Sequence, residues 1–377
     1  MVYIVGLLSL VFLVLTILVI ARLSKVLRGV NGTSRPLEED GGGRIDIFSN
    51  RINGAMFLVF LVGGTIAMVW SYLVAQGDFL PEASSPHGRR LDGLFWLSMA
   101  IVTAAFFITN TLLFYFAWKY QYKEGKRATY YPENHKLELI WTVVPAVVMA
   151  LLVFTGWRAW RDIMSEAPAD SMVYEIVGKQ FNWIVRYPGA DDNKLGAFNY
   201  KLIDNNNELG LDFSDEAAFD DFTSTTELHI PVNKPVLLKI RARDVLHSVF
   251  IPHLRVKMDA VPGMPTRFWF VADKTTDEMK NLLNNQDFTY EIACTEVCGR
   301  GHFSMRIRLI VEDEESYNKW VSEQKPLLST FPEYASRIPD NLKAKAAKYL
   351  QGAAPTENTT AATTEEGGGA AASASLR

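Results

Sequence analysis

Residues 294–305 read CTEVCGRGHFSM, and this stretch decides how the second half of the chain is interpreted. The flanking segments, FTYEIAC at 288–294 and SMRIRLIVED at 304–313, alternate apolar and polar residues with a period of two. Such alternation is typical of β-strands that are buried on one face. The stretch therefore predicts a loop between two strands that carries two cysteines, one histidine and one methionine.

These side chains form a set of soft ligands. Thiolate, imidazole and thioether groups suit copper, whereas a hard cation needs oxygen ligands. Simpler explanations exist for each residue: Cys294 and Cys298 could form a disulfide, Met305 could fill the core, and His302 could be an ordinary polar residue. A disulfide does not require the histidine and the methionine that follow, so the combination favours a copper site for electron transfer.

A further ligand must come from another segment. His247 is the best candidate, because it ends an apolar run in DVLHSVFIP and lies three residues after Asp244. His253 is the alternative.

Residues 172 to about 312 contain further short β-rich runs separated by turn residues, which predicts an antiparallel sandwich or barrel. After residue 312, EDEESYNKWVSEQK and NLKAKAAKYLQ predict two short helices, and the tail from 352 is of low complexity and predicted to be disordered. Between the first strands, the insert 188–228 has ten acidic residues against two lysines. We weigh a solvated loop against a docking surface for a basic partner, with the loop slightly ahead.

The first half of the chain has the pattern of a membrane protein. Four stretches without charged residues, 2–21, 52–77, 93–118 and 139–157, are each long enough to span a bilayer as a helix. Basic residues follow the first stretch rather than precede it, which argues against a signal peptide. The basic loops 22–51 and 119–136 are therefore predicted to be cytoplasmic, which places everything after residue 158 outside, in the periplasm of a bacterium.

Composition excludes several classes of protein. The chain has 377 residues, a net charge of −4 and a mean hydropathy of +0.04. Two cysteines exclude a multi-disulfide scaffold, and the lack of a C-x-x-C-H sequence excludes a c-type haem on this chain. The small net charge gives no reason to expect a nucleic acid as partner.

The segments DVLHS, VKMDAVPG and CTEVCGRGHFSM together resemble cytochrome c oxidase subunit II, and HKLELIWTVVPAVVM is similar to the second membrane helix of that family. The likeness covers roughly 93–325. It implies membrane helices, of which the apolar stretches predict four in this chain, followed by an all-β cupredoxin domain, a Greek-key β-sandwich that holds the binuclear copper A centre. It also implies a multi-pass protein of the bacterial inner membrane with the copper domain on the periplasmic side.

The resemblance also implies roles for single residues. Cys294 and Cys298 would bridge two coppers, and His247 and His302 would each bind one. Met305 would be a weak ligand, and Glu296 would bind through its backbone carbonyl. The Glu296 side chain would face a magnesium or manganese site shared with subunit I. Glu138 matches the glutamate near the entrance of a proton channel, although from spacing alone it is a carboxylate at the membrane edge.

The chain departs from the family at two places. The family commonly has W-Y-W after G-H-Q, with the first tryptophan receiving the electron, whereas this chain reads GKQFNW at 178–183. Phe181 occupies that position and Trp183 the later one. The usual family member has two membrane helices, so the first two here are expected additions that contact further subunits or another respiratory complex.

The expected division of the chain has five parts. Residues 1–51 hold the first added helix and a cytoplasmic loop, and residues 52–92 hold the second added helix and a periplasmic loop. Residues 93–158 form the membrane hairpin of the family. Residues 159–325 form the copper domain with the insert 188–228, and residues 326–377 form a helical segment and the tail.

The implied function is that of an electron-accepting subunit in a haem–copper oxygen reductase. A c-type cytochrome would donate the electron, and haems in subunit I would reduce oxygen. A quinol oxidase subunit would typically lack the copper ligands. A thioredoxin-like copper chaperone would have a helix after its cysteines, and nitrous-oxide reductase would need more than six histidines.

Overall fold

The computed structural model describes residues 14, 17–19, 47–123, 125–189 and 193–350. Three helices in these ranges are long and apolar enough to cross a membrane: α1 (Ile47–Ala75), α2 (Pro86–Lys119) and α3 (His135–Ile163). They contain the predicted spans 93–118 and 139–157 and residues 52–75 of the predicted span 52–77. Residues 14 and 17–19 are helical, but the rest of the span 2–21 and the tail from 352 lie outside the described residues.

The described chain forms two compact units, and residues 108–130 belong with the start of the chain. Within this first unit, Phe114 of α2 packs on Phe57 and Phe60 of α1, with ring centroids 6.0 and 5.3 Å apart. Near the ends of the same helices, the Asn50 side chain donates to the carbonyl of Tyr122. Aromatic packing and a side-chain hydrogen bond thus help to join α1 to α2.

The second unit contains ten strands in two five-stranded sheets. The strands are β1 (Met172–Lys179), β2 (Asn182–Tyr187), β3 (Phe222–Ser224), β4 (Glu227–Pro231), β5 (Pro235–Ala242), β6 (His247–Ile251), β7 (Val256–Ala260), β8 (Thr266–Val271), β9 (Tyr290–Cys294) and β10 (Arg306–Glu312). The first sheet has the order β3-β2-β1-β5-β8 and the second β4-β10-β9-β6-β7. Their inner faces enclose one apolar core, so the expected combination of membrane helices and an all-β sandwich is confirmed.

The expectation of purely antiparallel sheets is wrong. β1 pairs with β5 in parallel, and β4 pairs with β10 in parallel. Both pairs join strands that are far apart along the chain, with long connections of the kind parallel pairing requires. Alternation along one strand reports which face is buried and carries no information about the direction of its neighbour.

A third layer covers the outer face of β1 and β2. It is built from the insert and from the chain that follows α5 (Glu314–Ser322), namely α6 (Leu327–Thr330), a 3-10 turn and α7 (Asp340–Leu350). The two helices predicted after residue 312 are therefore present. Buried apolar residues of the strands, the insert and this final segment form a second core: Val177, Ile184, Leu209, Leu211, Phe213, Ala218, Phe219, Leu328, Tyr334, Ile338 and Ala346.

Buried ion pairs join the third layer to the sheet. The guanidinium of Arg186 donates to Glu175 and to Asp221 of the insert, each at 2.8 Å. Arg241 of β5 donates to the same Glu175 carboxylate at 2.8 Å. Burial opposes ionisation of Glu175, but the two guanidiniums outweigh burial and lower its pKa. Since these residues are almost fully buried, each charge depends on its partner.

The insert is therefore more ordered than the solvated loop that we favoured. Several of its carboxylates form ion pairs within the chain: Asp204 with Arg337, Glu208 with Lys179, and Glu216 with Lys345. Asp212 and Asp215 accept hydrogen bonds from backbone N–H groups of their own turns. Charge density alone did not predict this layer, because its stability depends on apolar residues more than 100 positions away.

Four of the described strands and α-helices were not predicted. The strands β3 and β7 are three and five residues long, and the helices α4 (Thr276–Leu282) and α6 have seven and four residues. Thr275 and Glu278 form a capping box at the start of α4, a sequence signal that could have revealed it. The division of the chain into five parts given above remains a prediction.

The third layer leads to a prediction about truncation. A soluble fragment of residues 168–325 should unfold at a lower urea concentration than one of residues 168–350. The shorter fragment lacks Leu328, Tyr334 and Ile338, which bury the apolar side chains of the insert, so we expect a loss of about 3 kcal/mol or more in the free energy of unfolding.

The variant Lys345→Gln in the longer fragment is the control. It removes only the exposed pair with Glu216 and should cost less than about 1 kcal/mol. Equal urea midpoints for the two fragments would contradict the proposed packing.

Candidate metal centre

The candidate site lies at one end of the second sheet, where three neighbouring strands begin or end. β6 begins at His247, β9 ends at Cys294, and β10 begins at Arg306, directly after Met305. β9 pairs antiparallel with both β6 and β10, and Val249 lies opposite Cys294. The sheet register therefore places His247 beside the loop 294–305.

The ligand atoms of this loop face one another at short distances. The Cys294 Sγ lies 3.8 Å from His247 Nδ1 and 4.0 Å from Cys298 Sγ. The Cys298 Sγ lies 3.7 Å from His302 Nδ1 and 3.8 Å from Met305 Sδ. The backbone carbonyl of Glu296 is 3.3 Å from Cys294 Sγ. All six residues named from the sequence are brought together, and both cysteines are free thiols.

The two cysteine side chains are buried. Burial raises the pKa of the Cys298 thiol, and the neighbouring Cys294 raises it further. The protein alone thus favours protonated sulfur, whereas a bound cation favours the thiolate and displaces its proton. Within the described ranges, His247, Cys294 and Cys298 are the one group of three side chains close enough to hold a metal ion. The donor set fits copper.

The ring of His247 is held on two sides. Its Nε2 lies 2.9 Å from Asp244 Oδ1, which leaves Nδ1 facing the cysteines. Burial works against ionisation of Asp244, but the N–H of Gln180 and the His247 ring more than offset it, so the pKa of Asp244 is lowered. A ligating histidine whose second nitrogen meets a carboxylate has a fixed ring orientation.

Close packing around His247 comes from the first sheet. A Cβ on Gly178 would lie 2.7 Å from the His247 ring, so only glycine fits there. Trp183 is fully buried and packs its indole edge-on against His247, with ring centroids 5.8 Å apart. Trp183, the tryptophan that the GKQFNW segment retains, therefore lies beside the candidate ligand His247 and is buried inside the domain.

Phe181 lies at the surface, directly over the ligand loop. Its side chain is 38% exposed, and a Cβ on Gly301 would lie 2.5 Å from its ring. The preceding residue, Gln180, donates its side-chain amide to the carbonyl of Cys298 at 2.5 Å. Sequence reasoning missed Gly178 and Gln180, although both belong to the GKQFNW segment that it singled out.

The other sequence candidates lie elsewhere. The ring of His253 faces the carbonyl of Glu82 at 2.9 Å and packs against Phe288 and Tyr290, so it is not a ligand here. Glu138 lies in the first turn of α3, where it contacts the backbone N–H of Asn134 and the ring of His135. These are the contacts of a carboxylate at a helix start.

Comparisons with known proteins agree with this architecture. Residues 172–312 match the family profile described as cytochrome c oxidase subunit II, periplasmic domain. Residues 55–158 match the profile described as cytochrome c oxidase subunit II, transmembrane domain. The second match begins within α1, which we had expected to be an addition to the family pattern.

Two relatives and one solved structure illustrate the likeness. An alternative cytochrome c oxidase subunit 2 of Bradyrhizobium diazoefficiens is 36% identical over 234 residues, 61% of this chain and 77% of the relative. A cytochrome c oxidase subunit 2 of Thermostichus vulcanus is 27% identical over 296 residues, 72% of this chain and 86% of the relative. The crystal structure of the periplasmic domain of subunit II of the cytochrome oxidase of Bradyrhizobium japonicum shares 25% identity. It covers 42% of this chain and 95% of that domain, with a TM-score of 0.28.

The strand that follows the cysteines and the two five-stranded sheets also exclude the thioredoxin-like alternative. The chain belongs to the family of cytochrome c oxidase subunit II, as a membrane subunit of a haem–copper oxidoreductase whose β-sandwich domain lies outside the cytoplasm.

Proposed function

We propose that His247 and the loop 294–305 hold a binuclear copper A centre through which the chain accepts electrons from a c-type cytochrome. The electrons pass to haem in subunit I, where oxygen is reduced to water with coupled proton translocation. The observation that carries this proposal is the convergence of two buried thiols, two imidazoles and a thioether at one sheet edge. A quinol oxidase subunit, which typically lacks the copper ligands, would not be expected to have this complete set.

His247 and the residues of the loop 294–305 have different proposed roles in metal binding. Cys294 and Cys298 would be ligands shared by the two metals, His247 and His302 would each bind one, Met305 would be a weak ligand, and Glu296 would offer its carbonyl. Copper held there would supply one-electron transfer. Asp244 and Trp183 hold the His247 ring in place, and Gln180 holds the carbonyl of Cys298. Restrained ligands limit the movement that each change of charge requires.

Neighbouring sites follow from the same assignment. We propose that the partly exposed Glu296 side chain contributes to a magnesium or manganese site at the contact with subunit I. Glu138 is proposed to lie at the proton-channel entrance of subunit I, on the cytoplasmic edge of α3. The helices in 1–51 and 52–92 are proposed to contact further oxidase subunits or another respiratory complex.

Copper loading of residues 168–350 tests the proposal. We expect two coppers per chain and an electron paramagnetic resonance spectrum in which both coppers share one unpaired electron. Cys298→Ser should abolish that spectrum. Met305→Leu should keep both coppers and shift the redox potential, because it removes only a weak ligand.

The matched control is Met279→Leu, a change at a buried methionine in α4 outside the loop. It should leave the potential unchanged. One copper per chain, or none with an oxidised Cys294–Cys298 disulfide, would disprove the centre.

Electron acceptance is proposed to occur at Phe181 rather than Trp183, because Phe181 combines exposure with contact to the ligand loop. Phe181→Leu should slow copper reduction by the cytochrome about tenfold, equivalent to about 1.4 kcal/mol of barrier, with an unchanged copper spectrum. Trp183→Phe should alter the copper spectrum through His247. Stopped-flow reduction and the spectra separate the two effects, and a normal rate in Phe181→Leu would rule out this route.

We propose that the donor does not dock through the insert, because several of its carboxylates are paired within the chain. The double variant Asp212→Asn/Asp215→Asn keeps both turn caps, since asparagine also accepts backbone hydrogen bonds. The salt dependence of kcat/KM for cytochrome c should equal that of the wild type. A flatter salt dependence would show that the insert guides the donor electrostatically.

A further inference from the structure

A short segment ahead of α2 is bound tightly to the β-sandwich. We call residues 79–92 the strap; it follows α1 and includes the first turns of α2. The backbone N–H of Ser84 donates to the carbonyl of His253 at 2.8 Å, and the N–H of Asp273 donates to the carbonyl of Ser84 at 3.0 Å. Ser84 and Ser85 are both fully buried, so the strap is part of the domain packing.

Ser85 connects the strap to both a helix and the sandwich. Its hydroxyl oxygen accepts from the N–H of Gly88, as a residue that caps the start of a helix does. The same hydroxyl donates to the carbonyl of Leu254 at 2.8 Å. Pro86 at the first helical position is typical of a helix start. The beginning of α2 is therefore fastened to the turn that follows β6.

Arg255 in that turn makes the largest number of strap contacts. Its Nε and Nη2 donate to the two carboxylate oxygens of Asp92 at 2.8 and 2.9 Å, in a bidentate pair. Nη2 also donates to the carbonyl of Pro81 at 2.6 Å. The side chains of Arg255 and Asp92 are 12% and 23% exposed, so water screens this pair only partly.

The backbone of Arg255 has an unusual conformation for such a side chain. Its φ is 55°, in the left-handed region where glycine is favoured. Glycine would fit this turn with less backbone strain but would make none of the contacts to Asp92 and Pro81. The conformation therefore points to a use for the guanidinium that outweighs the backbone cost.

The turn that carries Arg255 is continuous with the candidate metal centre. β6 begins with the ligand His247 and ends at Ile251, and the 3-10 turn Pro252–Leu254 follows directly. A force on this turn is transmitted along a strand that is hydrogen-bonded to β7 and β9 on either side. The strap thus contacts the turn after the last residue of β6, and the first residue of β6 is the proposed ligand His247.

We propose that Arg255 is a positioning residue for electron transfer out of the copper domain. Its bidentate pair with Asp92 fixes the domain on the first turns of α2 and thereby sets the position of His247 and the loop 294–305 relative to the membrane. Because electron transfer slows steeply with distance, this position sets the rate at which the electron leaves for subunit I. The inference rests on the proposed function and adds a requirement that the copper ligands alone do not impose.

Two variants of the complete oxidase test the inference. Arg255→Gly removes the guanidinium contacts to Asp92 and Pro81 and also relieves the backbone strain, so strain in the turn cannot explain its effect. Asp92→Asn removes the charge from the other partner with little change in shape. We expect unchanged copper content, an unchanged copper spectrum and unchanged reduction by the cytochrome, while electron transfer from copper to haem falls about tenfold or more.

A second measurement does not depend on bound metal. In the copper-free full-length chain, amide hydrogen exchange at Ser84 and Asp273 should accelerate in both variants, because these N–H groups form the bonds between strap and sandwich. The double variant should be no slower in electron transfer than the slower single variant, since both changes break one interaction.

The matched control is Arg308→Gln. Arg308 is not part of the strap, and its guanidinium pairs with the Glu227 carboxylate at 2.7 Å. It should leave both measurements unchanged. Normal copper-to-haem rates in Arg255→Gly and Asp92→Asn would overturn this inference but not the proposed function. An equal loss of rate in the control would do the same, and so would an altered copper spectrum in the two variants. A wild-type oxidase without the two-copper spectrum would overturn the proposed function, and this inference with it.

Discussion

Antiparallel pairing of β9 with both β6 and β10 is the constraint on which the candidate centre depends. It places the start of β6 beside the end of β9, so that His247 meets Cys294 although 47 positions separate them. A slip of one residue would turn His247 towards the opposite face of the sheet. The apolar core fixes this register, because residues on the same strand faces as His247 and Cys294, such as Val249 and Ile292, fill the sandwich. Packing energy spread over both sheets thus maintains the geometry of a few ligand atoms.

Buried ion pairs inside the domain join the first sheet to the insert. Arg186 and Arg241 share Glu175, and Arg186 also reaches Asp221 in the insert. A buried group of this kind stabilises a fold only while every member is present, since a single missing partner leaves an uncompensated charge. The network therefore selects one arrangement of the insert on the sheet, in addition to the less specific apolar contacts around Phe219 and Leu328.

Periodicity and ligand chemistry predicted most of what matters for function. The membrane helices, most of the strands and the loop 294–305 could be read from local patterns, because each pattern reports the environment of its own segment. What local patterns could not show was partnership between distant segments. The parallel pairing of β1 with β5 and the packing of Tyr334 on the insert are examples.

Two smaller elements were missed for related reasons. The strap lacks any periodicity, and it contacts backbone groups of distant segments and the Arg255 side chain. Gly178 was missed because a glycine beside a ligand is recognisable only once the ring of His247 has a position. For His247 itself, the sequence pattern named the residue, whereas its orientation depends on Asp244 and Trp183.

The third layer also has a consequence for the order in which the chain becomes compact. Leu211, Phe213 and Phe219 emerge from synthesis and cross the membrane more than 100 residues before Leu328, Tyr334 and Ile338, which cover them. Contacts between such distant segments form late. Until the final helices close the layer, these apolar side chains have no cover, and the high density of like charges beside them disfavours association between chains.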